Sequence, residues 1–107
     1  MATLRVGAGR TDPGQGWQLY NTEGVYIDVD TSSAHFSGDP VYTTSLSSTG
    51  GSQLWAVGGS SVYNPTAQSF RVYLRWVDDA RRNGQQLTPE LAQQYGFFIN
   101  WIGVDQP

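Results

Sequence analysis

The sequence predicts an all-β domain, a sandwich or barrel of six strands, with one short helical turn in the last long loop. Three observations predict it: stretches of hydrophobic alternation with period two, turn-forming clusters between them at short intervals, and a single helix-start signature late in the chain. A length of 107 residues allows one domain, spanning residues 1–107, with a single core.

Residues 69–76 alternate most clearly. Phe70, Val72, Leu74 and Trp76 fall on one face, and Arg71, Tyr73 and Arg75 on the other. Residues 25–31 repeat the pattern, with Val25, Ile27 and Val29 inward and Tyr26, Asp28 and Asp30 outward. Residues 97–104 are apolar on both faces, as expected of a central strand covered on two sides, one of them by a second subunit. Residues 4–8, 41–46 and 53–57, the last running on toward Tyr63, complete the six. Asp12-Pro13-Gly14, Gly38-Asp39-Pro40, the serine- and glycine-rich segment 47–52 and Asn64-Pro65 supply the turns. Thr88-Pro89-Glu90 places an N-cap, a proline at the first helical position and an acid in the first turn, so a short helical turn is expected there.

Composition narrows the function. There is no cysteine, which removes disulfides, thiolate chemistry and cysteine-ligated zinc; with no disulfide to lean on, a domain this small points toward the cytosol or toward stabilisation by oligomerisation. The compartment stays open. The amino-terminal residues form no signal-peptide pattern, and no apolar run approaches the roughly 20 residues that span a bilayer, so a soluble chain without membrane insertion is expected. Net charge is −3 and all six basic residues are arginine, an unsuitable surface for tracking a phosphate backbone; nucleic acid is not an expected partner.

No catalytic apparatus is legible. The single histidine, His35, lacks a Gly-x-Ser-x-Gly elbow or any triad context and reads as a half-exposed residue at a strand end before Phe36. Asp28 and Asp30 share a strand face about 7 Å apart, a spacing compatible with paired glycosidase carboxylates or a calcium site, but a polar strand face accounts for both. No metal and no cofactor are expected. The glycine pairs, Gly7 with Gly9 and Gly58 with Gly59, lack the strand-to-helix context of a phosphate loop and read as close backbone packing.

What rises above background is aromatic content beside loops. Aromatic residues make up 13% of the chain, with four Trp, six Tyr and four Phe, and Trp17, Trp55, Trp76 and Tyr95 lie at or near strand ends. Sugars present apolar C–H faces and polar edges, so a binding site combines a ring platform with carboxylates, amides and guanidinium groups. Trp76 followed by Asp78 and Asp79 supplies both parts within one loop. Trp17 and Trp101 read as core, whereas Trp55 and Trp76 stand between core and site.

The order of segments carries a resemblance. Arg5-Val6-x-x-Gly9, Gly16-Trp17, a strand ending in Phe36, Pro40-Val41, a strand at Leu54, Pro65-Thr66 leading to Phe70, Trp76 closing that strand, and Ile99-Asn100-Trp101-Ile102 together resemble the H-type lectins, the snail agglutinin family also found at the C-terminus of discoidins. The resemblance covers nearly the whole chain. It implies a six-stranded antiparallel β-sandwich, a homotrimer or dimer of trimers, and a multivalent lectin that binds glycans of the galactose or N-acetylgalactosamine type in clefts between protomers. It also implies contact residues at Asn21 and Glu23 after the first tryptophan, at Trp55, and at Trp76, Asp78, Asp79 and Tyr95. The chain departs from the family where Trp55 stands in place of an arginine, where Val77-Asp78 replaces a histidine after the tryptophan, and in the longer loop from Val77 to Gln94. The competing expectation is a non-catalytic structural or adhesive trimerisation module, such as a receptor-binding domain of a phage tail or of a secreted protein.

Overall fold

A computed structural model describes residues 3–50, 53–77 and 84–106. Seven strands form two antiparallel sheets among these residues. One has the order β1 (Arg5–Arg10), β7 (Phe97–Asp105), β4 (Val41–Ser48); the other has the order β2 (Gln18–Tyr20), β3 (Gly24–Asp30), β6 (Ser69–Trp76), β5 (Val57–Gly58).

The period-two segments become the centres of these sheets. In the β3–β6 ladder Val25 faces Leu74, Ile27 faces Val72 and Val29 faces Phe70, and all six are at most 2% exposed. Residues between them in the chain point the opposite way, pairing Tyr26 with Tyr73 and Asp28 with Arg71 on the outer surface. Strand β7 lies between β1 and β4 and turns Phe97, Ile99 and Trp101 into the core. Its other face carries Ile102 and Val104, which are 45% and 36% exposed in this chain. The inner faces of the two sheets share one core, with the Tyr42 and Phe70 ring centroids 4.6 Å apart and Phe70 and Trp101 6.5 Å apart. Each such ring or branched chain contributes about 1.5–3 kcal/mol relative to its exposed form.

Polar pins fix the sheets to each other and to their loops. The Tyr42 hydroxyl donates to the Thr66 carbonyl at 2.6 Å and lies 2.7 Å from the Thr31 hydroxyl, and Trp17 donates its indole N–H to the Phe97 carbonyl at 3.0 Å. Trp17 and Trp101 are each 6% exposed, as their core assignment requires. Asp105, at 1% exposure, accepts from the amides of Ser37 and Gly38 at 2.8 and 3.1 Å and so holds the loop after His35 against the end of β7.

Three sequence expectations need correction. The strand count is seven among the described residues, not six, because Gln18–Tyr20 forms a three-residue strand too short to show alternation. The segment 53–57 is not a continuous strand. Gln53 takes a left-handed conformation (φ 69°), the Ala56 amide closes back on the Gln53 carbonyl at 3.0 Å, and Leu54–Ala56 becomes a 3-10 turn before the two-residue β5. Tyr63 nevertheless reaches the sheet edge, exchanging two backbone hydrogen bonds of 2.8 Å with Arg71. His35 follows a 3-10 turn, Ser32–Ala34, rather than ending a strand.

The helical turn forms as the sequence predicts. Helix α1, Pro89–Tyr95, begins with the Thr88 hydroxyl accepting from the Leu91 amide at 3.2 Å, and Leu91 and Ala92 enter the core. Gly96 ends it in the left-handed region (φ 66°), where a Cβ would collide with the Thr49 side chain. No helix among the described residues is long and apolar enough to cross a membrane.

Candidate functional site

The outer face of the four-stranded sheet concentrates the chain's tyrosines. Strand alternation sends Tyr26 and Asp28 of β3 and Arg71 and Tyr73 of β6 to this side, and Tyr20 joins them from β2, where it is paired with Gly24. Arg71 donates from Nε and Nη2 to the two carboxylate oxygens of Asp28 at 2.7 and 3.0 Å. Its guanidinium lies 4.2 Å from the centre of the Tyr26 ring and also reaches the Tyr73 hydroxyl at 3.4 Å. The Asp28 carboxylate, and after it the Tyr73 hydroxyl, bind the protonated guanidinium and raise its already high pKa further. A bidentate pair stacked on a ring positions its members more firmly than a lone surface ion pair.

The two aspartates weighed as paired acids are thus committed separately. Asp28 serves Arg71, while Asp30 accepts from the Ser32 amide at 2.8 Å, and hydrogen bonding from Ser32 holds the Asp30 carboxyl below the usual carboxylate range. Among the described residues no group of three or more His, Asp or Glu side chains is placed to hold a metal ion.

Next to this patch a groove of about 620 Å³ opens across the end of the sheet. Tyr73 lies at its middle, with Tyr20 on one side and Tyr63 on the other. Their ring centroids stand 4.9 and 4.8 Å from that of Tyr73, and the ring planes meet at 64° and 88°. Edge-to-face packing of this kind fixes ring orientation through the aromatic quadrupole. Tyr20 and Tyr63 remain 41% and 47% exposed, so both offer ring surface to solvent. Glu23, Asn64 and Arg75 supply the polar groups of the lining. Two glycines line the groove where β6 ends: Gly58 faces Arg75 across the β5–β6 ladder, and at Gly24 a Cβ would strike the Leu74 carbonyl oxygen, so β3 approaches β6 this closely only without a side chain there.

Only part of the sequence-predicted set gathers here. Glu23 lines the groove. Asn21 adopts a left-handed conformation (φ 51°) in the tight β2–β3 turn, closed by the Glu23 amide donating to the Tyr20 carbonyl at 3.0 Å, and its own carbonyl accepts from the Gln86 side chain at 2.8 Å. Trp76 is 6% exposed and donates its indole N–H to the Gln85 carbonyl at 2.7 Å, so its ring is a core element that pins residue 85 rather than an open platform in this chain. Trp55, on the 3-10 turn, is 75% exposed, and the Val77 amide bonded to the Ala56 carbonyl at 2.9 Å draws that turn to the end of β6. Tyr95 closes α1 half-buried, its ring 5.6 Å from Phe97 at 46°. Asp78 and Asp79 lie outside the described residues, as do Arg81 and Arg82.

Sequence reasoning missed Tyr20, Tyr63, Tyr73 and Arg75 as site residues. The signal for two of them was present: alternation in residues 69–76 already turned Tyr73 and Arg75 outward. Tyr20 and Tyr63 come from segments with no readable period and meet Tyr73 only through strand pairing. No protein-family model, curated protein or solved structure matches the chain.

Proposed function

We propose that this chain is a non-catalytic carbohydrate-binding module. One observation carries the reading: solvent-facing aromatic rings and hydrogen-bonding side chains converge at one end of the four-stranded sheet, where Tyr20, Tyr63 and Tyr73 meet Glu23, Asn64 and Arg75. A sugar ring needs an apolar surface for its C–H face and donors and acceptors for its hydroxyls, and such sites are concave and largely preformed. Glu23 is the one carboxylate among the described residues lining the groove, and a carboxylate beside exposed rings suits hydroxyl recognition.

The finer reading is an H-type lectin. In it the two sheets stack as a β-sandwich, and protomers associate as a homotrimer or a dimer of trimers that recognises galactose- or N-acetylgalactosamine-type glycans. The outer face of the three-stranded sheet favours association: Val6, Val41 and Val104 form one row across β1, β4 and β7, with Ile102 beside them, and Val6 and Val41 are 61% and 70% exposed. Several weak sites on one assembly raise avidity by about 10² to 10⁴ without a new contact, which is how a shallow sugar site becomes useful in cell adhesion.

A glycan array tests the binding, and sedimentation equilibrium tests the assembly. The expected result is saturable retention of at least one galactose-type glycan by a particle of three or six chains. A folded protein that ignores every saccharide refutes the lectin reading. The same apolar row favours one alternative, a structural or adhesive trimerisation module, whose mark is a stable trimer with no saccharide affinity.

A further inference from the structure

We infer that the saccharide site is the tyrosine groove of a single protomer, with Tyr20 and Tyr63 as walls about Tyr73, and that it takes an uncharged sugar. This rests on the carbohydrate-binding reading and departs from a site built at the seams between protomers.

Completeness comes first. A sugar site requires ring surface, acceptors and donors, and all three come from one chain here: two half-exposed phenol rings, the Glu23 carboxylate, the Asn64 amide and the Arg75 guanidinium, around a volume of about 620 Å³. The rings are held before any ligand arrives. Tyr73 is packed by three tyrosines, Tyr26 lying 5.8 Å away, and Tyr26 in turn carries the Arg71 guanidinium on its face. Rings already fixed in orientation lose little freedom when a ligand stacks on them, which keeps more of the contact energy as affinity. Because the planes of Tyr20 and Tyr63 stand at 64° and 88° to Tyr73, the surface is a trough and not a flat platform. A trough of this shape accepts one sugar unit or one chain edge-on and excludes the flat face of a crystalline polysaccharide.

Charge sets the class of sugar. Within the groove Glu23 balances Arg75, and the nearby Arg71 is neutralised by Asp28. Among the described residues no net positive charge is left there to favour a carboxylated or sulfated glycan, and the chain as a whole carries −3. The partner is therefore a neutral saccharide, held by ring contacts and hydrogen bonds, with affinity that varies little with ionic strength.

The test is titration calorimetry on the full chain with the best neutral saccharide from an array, its sialylated or sulfated counterpart, and the variants Tyr20→Ala, Tyr63→Ala and Gly58→Val. Both tyrosines are half exposed, so the truncations should keep the circular dichroism spectrum and thermal midpoint close to those of the parent. Each is expected to weaken binding by about tenfold to hundredfold, the equivalent of one buried ring. Gly58→Val adds bulk at a residue that lines the groove, where the new side chain also presses on the exposed Val77, and is expected to weaken binding with every ring intact. The charged glycan should bind more weakly than the neutral one, and salt from 50 to 500 mM should change the neutral affinity by about twofold or less. Undiminished binding by both tyrosine variants and Gly58→Val, with loss on Trp55→Ala, overturns the assignment and leaves the carbohydrate reading standing. Preference for the anionic glycan with steep salt dependence overturns the uncharged-ligand part. Silence of the folded parent toward every saccharide overturns both.

Discussion

Replacing Tyr42 by Phe removes one oxygen from the junction of the two sheets and leaves its packing in place. The ring is 7% exposed and lies among Phe36, Phe70 and Trp101 at centroid distances of 5.9, 4.6 and 6.0 Å, so Tyr42→Phe opens no sizeable cavity. What disappears is a relay in which the Thr31 hydroxyl donates to the Tyr42 oxygen at 2.7 Å and the Tyr42 hydroxyl donates to the Thr66 carbonyl at 2.6 Å. The two ends of the relay respond differently. Thr66 is exposed and water can reach it, whereas Thr31 is 0% exposed and its hydroxyl is left without that partner. An orphaned buried hydroxyl costs about 1–3 kcal/mol, and the rehydrated carbonyl adds little. The expected loss is about 1–2 kcal/mol, or a fall in thermal midpoint of about 4–8 °C for each kcal/mol in a domain of this size. Urea unfolding should show a lower midpoint with an unchanged slope. Adding Thr31→Val removes the second hydroxyl and should restore part of the loss, giving a coupling near 1 kcal/mol in a double-mutant cycle. A Tyr42→Phe change below about 0.3 kcal/mol, or additive single effects, would refute the claim that this relay joins the sheets.

Gly96→Ala should destabilise the chain by more than about 1 kcal/mol, since a Cβ at φ 66° carries the left-handed penalty and also strikes Thr49; urea unfolding read by far-ultraviolet circular dichroism checks it. The Asp30 carboxyl is held below its ordinary range by Ser32, so its stabilising effect is present in full above the unfolded-state pKa near 4 and fades as pH falls through the lower folded value. Thermal midpoints of Asp30→Asn and the parent should therefore differ at pH 6 and converge toward pH 2, and parallel curves across that range would contradict the assignment.

The parts of the fold legible in the sequence are those whose information is local. Phe70, Val72 and Leu74 alternate with Arg71 and Tyr73 because one strand has one buried face, and Thr88-Pro89-Glu90 caps a helix from within four residues. The same alternation sent Trp76 to the core side of β6, where it is found, although its position beside a loop suggested a platform. Strand β2 escaped because three residues hold no measurable period, β5 was drawn too long within 53–57 because two residues hold none either, and the pairing of both depends on neighbours supplied from elsewhere in the chain. The groove was hidden for the same reason. Tyr20 and Tyr63 are 43 positions apart in the numbering and become neighbours of Tyr73 only after β2, β3 and β6 have aligned and Tyr63 has bridged Arg71. An isolated tyrosine in a loop carries no mark of the partner it will meet.

Strand β1 lies antiparallel to β7, with Arg5 opposite Asp105, and among the described residues β7 is also the only partner of β4. The three-stranded layer therefore has to wait for residues near position 100 before any of its ladders can zip. Loop closure over nearly the full chain precedes the contacts that reward it, which places folding in the slow, millisecond-to-second regime of domains dominated by non-local pairing. During synthesis on the ribosome, the first and fourth strands emerge as unmatched edges and remain so until β7 has emerged. The interval before β7 arrives is the period in which this protein most needs protection from aggregation.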